Sequence, residues 1–393
     1  MTRRTPLLPN PPRRDAQALA ALERAGAPEP APPVRVASLA RKGRGSTLNP
    51  PARFEPRHTE PCDGGWPSPE DTGPPPLETT LIRDASRSAI AWNESPDIGF
   101  DRAVNPYRGC EHGCIYCYAR PSHAYLGFSA GLDFETKILF KPDVAGLLER
   151  EIAKPGYVVR PIALGSNTDP YQPVERRLAL TRSVLETLER AGHPLTIVTK
   201  SAGVLRDLDI LERLAERNLA RVHISLTTLD PALARRMEPR APNPSRRLGA
   251  IALLARAGVP VGVMAAPMIP GLNDAELERV LGAAAAAGAE HASFVLIRLP
   301  YEIKELFADW LAEHYPDRAR HVLSLIRQAR EGRLDDPSFH GRMRGTGPYS
   351  TLLAGRFARA ARKLGLDTKP RALDCSQFVP PGHAAEPRQL ALF

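Results

Sequence analysis

Asn105-Pro-Tyr-Arg-Gly-Cys-Glu-His-Gly-Cys-Ile-Tyr-Cys-Tyr-Ala119 is the stretch from which the rest of the chain is read. It sets Cys110, Cys114 and Cys117 in the spacing C-x3-C-x2-C. Clustered free thiols oxidise and crosslink, whereas thiolates at this spacing turn inward from one short loop and grip a soft metal or a cluster. The number three is informative. A structural zinc site closes on four protein ligands, and an ordinary [4Fe–4S] cluster on four thiolates. Cys62 stands in a Pro/Gly-rich segment and Cys375 near the far end of the chain, so neither is a natural fourth ligand. Three thiolates on a four-iron cluster leave one iron open to an outside ligand. A zinc or redox loop completed by His112 or His123 is the alternative that the spacing leaves open.

The 393 residues allow one large domain with tails or two modest ones, and 42% hydrophobic content is enough for a core. The 41 prolines predict substantial unstructured chain. Five cysteines, three in one motif, do not form a disulfide framework, which fits a reducing cytoplasm. No apolar run reaches membrane-spanning length, and Arg3-Arg4 is not followed by the apolar stretch of an export signal.

Residues 1–78 are rich in Pro, Gly, Ala and Arg, with a short helix-forming stretch at Asp15–Arg24, and read as a disordered arm. From Ala103 to Pro300 strand-like runs alternate with amphipathic helical patterns. The runs are Val158–Leu164, Leu195–Val198, Val222–Leu226, Val259–Ala265 and Ala292–Ile297. The helical stretches are Val174–Ala191, Leu205–Arg217, Ser245–Ala257 and Asp274–Ala287. Strict alternation implies parallel strands with crossover helices. With a strand just before Cys110 there are six units, too few for a full barrel. The fold class predicted is α/β, a partial (β/α)6 barrel over 79–300. A helical extension over 301–380 follows, with patterns at Ile303–His314, Asp317–Gln328 and Tyr349–Leu364 and a Gly/Arg-rich loop at 339–348, expected to cap the barrel mouth or touch substrate. Residues 381–393 read as a flexible tail.

The cysteine spacing, with Tyr116 just before the last cysteine, resembles the radical S-adenosylmethionine superfamily. That resemblance implies a [4Fe–4S] cluster on Cys110, Cys114 and Cys117 whose open iron chelates S-adenosylmethionine, and an electron donor to reduce it. Reactive groups in parallel α/β folds sit at the C-terminal ends of strands, and polar residues follow each run in order. Ser166-Asn167-Thr168-Asp169 would meet the cofactor's ammonium group, although Thr168 and Asp169 are also ordinary helix caps. Lys200 would pair with its carboxylate, or be a solvated lysine. Ser225 and Thr227 would offer hydroxyls to the ribose, with Glu238 close behind. Met268 and Pro270 lie in a segment resembling the one that runs near the adenine.

Within the superfamily, Cys-Ile-Tyr-Cys-Tyr at 114–118, Ser-Asn-Thr-Asp at 166–169 and Thr-Lys-Ser at 199–201 resemble the spore photoproduct lyase-like branch, over residues 100 to 300. That group opens a methylene-bridged thymine dimer in DNA by hydrogen abstraction. By position, Tyr116 would lie beside the cofactor and Tyr118 would match a tyrosine that relays hydrogen atoms. Ser166 or its neighbour would occupy the place of the hydrogen-donor cysteine. This is a departure, because a serine O–H bond is too strong for facile donation. Cys375 would substitute if the C-terminal segment folded over the mouth, and is otherwise a buried inert thiol.

Two further features bear on partners. The net charge of +9 is compatible with nucleic acid, and Arg235, Arg236, Arg240, Arg246 and Arg247 are candidate phosphate contacts or a solvated helix face. The last residues, Gln389-Leu390-Ala391-Leu392-Phe393, form an apolar peptide ending a polar tail and resemble the bacterial sliding-clamp-binding motif, with Gln389, Leu390, Leu392 and Phe393 as anchors. The reading is a cytoplasmic radical S-adenosylmethionine enzyme acting on damaged or modified DNA. Alternatives are the same chemistry on RNA, protein or a small molecule, and a non-catalytic cluster-bearing sensor tethered to the clamp.

Overall fold

A computed structural model describes residues 34–35, 42–54, 77–369 and 371–382. Six short apolar strands, β1 (Arg102–Val104), β2 (Ile162–Leu164), β3 (Leu195–Thr199), β4 (Ala220–Ser225), β5 (Val261–Met268) and β6 (His291–Leu296), lie side by side in chain order and pair in parallel. Ile90–Trp92 adds an antiparallel edge to β1. The sheet is open, with β6 and Ile90–Trp92 as its edges. This is the partial (β/α)6 architecture that the alternation predicts.

The crossover helices are α1 (Val144–Ile152), α2 (Leu180–Arg190), α3 (Leu208–Glu216), α4 (Pro244–Arg256) and α5 (Leu277–Ala286). Each buries one stripe against the sheet, as Ile210, Leu211 and Leu214 do in α3. Val222 and Ile224 of β4 join that core, and by the two-residue alternation Ser225 faces the other side. α4 starts where its sequence says it should: the Asn243 side chain accepts from the Arg246 N–H at 2.9 Å, and Pro244 takes the first helical position. The extension carries α6 (Ile303–His314), α7 (Pro316–Gln328) and α8 (Gly347–Lys363).

Four expectations change. The run 158–164 yields a strand only from Ile162, because Pro161 lacks a donor and Val158 is exposed. The helix expected over 174–191 breaks at Ala179 (φ 52°), since buried Glu175 turns its carboxylate to the Thr181 N–H at 3.1 Å and to the Tyr107 hydroxyl. A side sheet absent from the reading pairs Thr80–Arg83 with Lys137–Phe140, and the latter with Tyr107–Arg108. The arm expected to be disordered over 1–78 is instead packed on the body at 42–54, where Arg44, Ser46, Thr47 and Leu48 are buried. The helix-forming stretch at 15–24 lies outside the described residues.

Candidate active site

β1 delivers the chain to the C-terminal end of the sheet, and the side sheet fixes Tyr107–Arg108 before the cysteine loop begins. The loop is then pinned from several directions. Cys110 donates its N–H to Phe134 O at 2.9 Å, and Glu111 donates its N–H to Gln172 Oε1 at 2.9 Å. Ile115 donates to Met237 O at 3.0 Å, and Cys114 O accepts from Arg120 Nε at 2.9 Å. The Glu111 carboxylate accepts from the Val174 N–H at 2.6 Å and pairs with Arg240 at 3.1 Å. Arg120, wholly buried, pairs with equally buried Glu135 at 2.6 Å. Glu135 also accepts the N–H groups of Gly45 and Ser46 at 2.8 and 2.9 Å. The segment 42–54 thereby becomes a strap across the loop. Gly45 is required there, because a Cβ on it would lie 1.8 Å from Gly113 O.

Cys110 and Cys114 are buried and Cys117 is half-buried. Burial pushes all three free thiols up, for Cys110 with further help from Asp169. Coordination to iron is what would hold them as thiolates. Three soft donors from one sheltered loop fit an iron–sulfur cluster. The two histidines weighed as zinc ligands are engaged in the loop's own packing. His123 Nε2 lies 3.0 Å from Lys137 O with its ring between Phe128 and Phe134, and His112 Nδ1 lies 3.3 Å from Asp169 Oδ2.

The strand ends bring most of the remaining residues together. Asp169 accepts the Thr199 hydroxyl at 2.6 Å and the Lys200 N–H at 2.8 Å. Burial alone would raise its carboxyl, but His112 and these donors bring it to about 2. Lys200 Nζ donates to Ser225 Oγ at 2.7 Å and stands 4.0 Å from Glu238. Glu238, buried, accepts the Tyr116 hydroxyl, accepts the Thr227 hydroxyl at 2.6 Å, and forms an ion pair with Arg247. Its carboxyl too would rise through burial, yet Arg247 and Lys200 lower it to about 2. Tyr118 is half exposed at the rim and donates its hydroxyl to Ser166 O. Asn105 links Ser166 and Asn167 through its side-chain amide, at 3.2 and 3.1 Å. Thr168 donates to Tyr107 O at 3.1 Å.

Several expectations are corrected by these contacts. Arg247 is 1% exposed and paired with Glu238, so it has no face to offer a phosphate. Arg240 is paired with Glu111, and Arg236 lies 5.1 Å over the Tyr315 ring, while Arg235 and Arg246 are exposed. Met268 is wholly buried in the sheet–helix core and Pro270 is buried as well. Cys375 lies at the opposite end of the sheet. Its neighbour Asp374 donates an N–H to Asn218 O at 3.0 Å just before β4, and Val379 donates to Ala191 O at 2.9 Å. Among the described residues, the segment after α8 therefore runs along the strand starts and does not fold over the mouth. Cys62 and the anchors Gln389, Leu390, Leu392 and Phe393 lie outside the described residues.

Two organising residues, Asn273 and Glu111, escaped the reading, and a third, His112, was weighed only as a zinc ligand. Asn273 accepts the Ile269 N–H at 2.6 Å and donates to Thr227 O and Pro267 O at 2.8 and 3.0 Å, joining the ends of β4 and β5. Glu111 and His112 sit inside the cysteine spacing itself, and their polarity was the available signal. No described helix is long and apolar enough to cross a membrane.

A sheltered loop of three thiols at the C-terminal edge of an open parallel sheet fits a protein that would hold an iron–sulfur cluster with three of its own side chains. Comparison with known proteins sharpens this. The profile of the Radical SAM superfamily matches residues 104–284. An uncharacterized protein of Mycobacterium tuberculosis (strain ATCC 25618 / H37Rv) is 38% identical over 243 residues, 61% of this chain and 72% of that protein. An uncharacterized protein of Methanocaldococcus jannaschii is 26% identical over 196 residues, 50% of this chain and 70% of the other. Among solved structures, a spore photoproduct lyase mutant with dinucleoside spore photoproduct superposes with a TM-score of 0.52 at 18% identity, covering 73% of this chain and 80% of that one. A further mutant with bound S-adenosylmethionine and dinucleoside spore photoproduct gives a TM-score of 0.51 at 18% identity over the same shares. The chain belongs to the radical S-adenosylmethionine superfamily and shares the fold of spore photoproduct lyase. It is a radical S-adenosylmethionine enzyme, and its cofactors are a [4Fe–4S] cluster and S-adenosylmethionine.

Proposed function

We propose that this chain cleaves S-adenosylmethionine reductively and acts on damaged or modified DNA in the cytoplasm. The observation that carries the proposal is the union, at one end of the sheet, of the three-cysteine loop with the polar strand ends and with the rim pair Tyr118 and Ser166. When bound, the cluster and S-adenosylmethionine supply a 5′-deoxyadenosyl radical; the protein orients it and excludes water. Cys110, Cys114 and Cys117 would hold the cluster. Asn167, Thr168 and Asp169 would meet the amino group of S-adenosylmethionine, Lys200 its carboxylate, and Ser225 and Thr227 its ribose. Glu238 tethers both Lys200 and Tyr116 and so sets their positions. DNA is favoured by the fold shared with a lyase solved with a dinucleoside lesion and by the net charge of +9. The tail peptide 389–393 would add a sliding-clamp contact.

The test is anaerobic reconstitution with iron and sulfide, reduction with dithionite, and quantification of 5′-deoxyadenosine. The control carries Cys110→Ala, Cys114→Ala and Cys117→Ala together. Damaged and undamaged DNA, RNA and protein are then added in turn and product masses followed. Cleavage confined to the parent protein and stimulated by damaged DNA is expected. A cluster-loaded protein that never cleaves S-adenosylmethionine would favour a sensor, and stimulation by RNA or protein alone would move the substrate.

A further inference from the structure

Two arginines at the mouth have no role in the arrangement above. Arg298 follows β6 by two residues, at the same end of the sheet as the cysteine loop, and its guanidinium lies 5.5 Å from the centroid of the Tyr118 ring. Its Nη1 has only the Met343 thioether at 3.7 Å, a weak acceptor, and its Nε is buried without a partner. Arg330, just after α7, is 1% exposed. One of its nitrogens donates to Ile297 O and, at 3.1 Å, to Arg342 O, while Nε and Nη1 are buried without partners.

This differs from the treatment of several other guanidiniums, although buried Arg221, near the start of β4 at the opposite end of the sheet, also keeps an unpartnered Nε. Arg120 is matched with Glu135, Arg247 with Glu238, and neighbouring Arg342 with Asp97. Among the described residues no carboxylate forms an ion pair with Arg298 or Arg330. Asp335 reaches both only through its field, and its own Oδ1 is buried without a hydrogen bond. A desolvated cation with open donors is destabilising unless an anion completes it, and a guanidinium remains charged at any working pH. Planar N–H forks match the oxygens of a phosphate. The carboxylate of S-adenosylmethionine is the less suitable occupant, because Lys200 at the end of β3 is placed for it and β6 lies three strands away.

We propose that Arg298, half-buried beside Tyr118 and backed by the buried charge of Arg330, forms a receptor for a phosphate group, the phosphodiester of a nucleotide bound at the mouth. The phosphodiester part of this statement rests on the nucleic-acid reading above; the anion receptor does not.

The experiment uses the full chain with its cluster reconstituted. Binding of thymidylyl-thymidine is compared with its uncharged methylphosphonate analogue and with inorganic phosphate, in the parent, in Arg298→Gln and in Arg298→Lys. Arg330 is too buried to be a safe target, and the analogue arm needs no mutation. Charge-assisted hydrogen bonds of this kind carry roughly a 10- to 100-fold effect. The parent is expected to lose about that much affinity for the methylphosphonate, Arg298→Gln to lose it for the phosphodiester, and the variant to bind both analogues alike. Parent protein that binds both equally, or an Arg298→Gln variant that still prefers the charged form, overturns the receptor and leaves the DNA reading intact. Inorganic phosphate bound in an Arg298-dependent way, without binding of any nucleotide, sustains the receptor and removes the nucleic acid. A variant that loses S-adenosylmethionine instead, or competition by acidic peptide as effective as by phosphodiester, overturns the proposal.

Discussion

Replacing Glu238 by Gln tests whether the centre of the site is held by charge or by shape. The amide keeps the size of the carboxylate and can still accept from Tyr116 and Thr227, so the loss is electrostatic. The carboxyl sits at about 2 in the folded chain against a usual 4.5. At about 1.4 kcal/mol per pKa unit, that gap corresponds to about 3 kcal/mol of stability. A second route gives a similar figure: stripping the partner from a buried charge such as Arg247 costs about 3–5 kcal/mol. The sign follows from the lowered folded value. The stabilisation is complete above the unfolded value of 4.5 and is lost as pH falls towards 2. Urea unfolding of the cluster-free protein, followed by circular dichroism, should therefore place Glu238→Gln about 3 kcal/mol below the parent at pH 7. The gap should narrow to roughly half at pH 3. S-adenosylmethionine affinity should fall in parallel, since Lys200 loses the carboxylate 4.0 Å from its ammonium. A loss below about 1 kcal/mol at pH 7, or an equal loss at pH 3, would refute the electrostatic account.

Gly45→Ala would drive a methyl group into Gly113 O, and overpacking of this kind costs about 1–3 kcal/mol. Cleavage within 42–54 by a nonspecific protease should rise about tenfold or more, and the cluster should bleach faster in air; an unchanged digestion rate would show that the strap is not seated as described. Cys375→Ala should leave 5′-deoxyadenosine formation and product yield as in the parent, and a selective loss of product would reinstate that thiol as a donor. If DNA is repaired without a cysteine donor at the mouth, 5′-deoxyadenosine should accumulate about one for one with product. A ratio far below one would mean that the cofactor is regenerated. Deleting 389–393 should abolish sliding-clamp binding, measured by titration calorimetry, without altering S-adenosylmethionine cleavage; clamp binding that survives the deletion would assign that peptide elsewhere.

The parts of the fold legible in the sequence are those governed by short-range pattern. Alternating apolar runs and 3.6-residue periodicity report burial directly, so five of the parallel strands and the helices from Leu205 onward fall close to their expected places. The C-x3-C-x2-C spacing is legible for a related reason, since all three ligands come from one loop. Ala179 marks where this reading fails. The apolar pattern runs through it, but a carboxylate at Glu175 is tied to Tyr107, 68 residues earlier, and that contact breaks the helix. Local propensity loses to a buried charge.

The same physics accounts for what was misread around the site. Arg247 looked like one member of a basic surface because a sequence shows charge without burial; its carboxylate partner stands nine residues away, across a turn that only the fold closes. Arg44 looked like part of a solvated arm, yet it donates to Glu135 O, 91 residues on, at 2.8 Å. Cys375 drew attention as a thiol, and only the hydrogen bond from Asp374 to Asn218 reveals which end of the sheet it occupies. In each case a polar group's meaning depends on a contact that only the fold makes, and a buried charge must be matched wherever the match is found. That rule also gives Arg298 and Arg330 their interest. Arg120 and Arg247 have found carboxylates within the chain, whereas Arg298 keeps an unpartnered Nε at the mouth with buried Arg330 behind it, and an anion that the protein binds would supply the match.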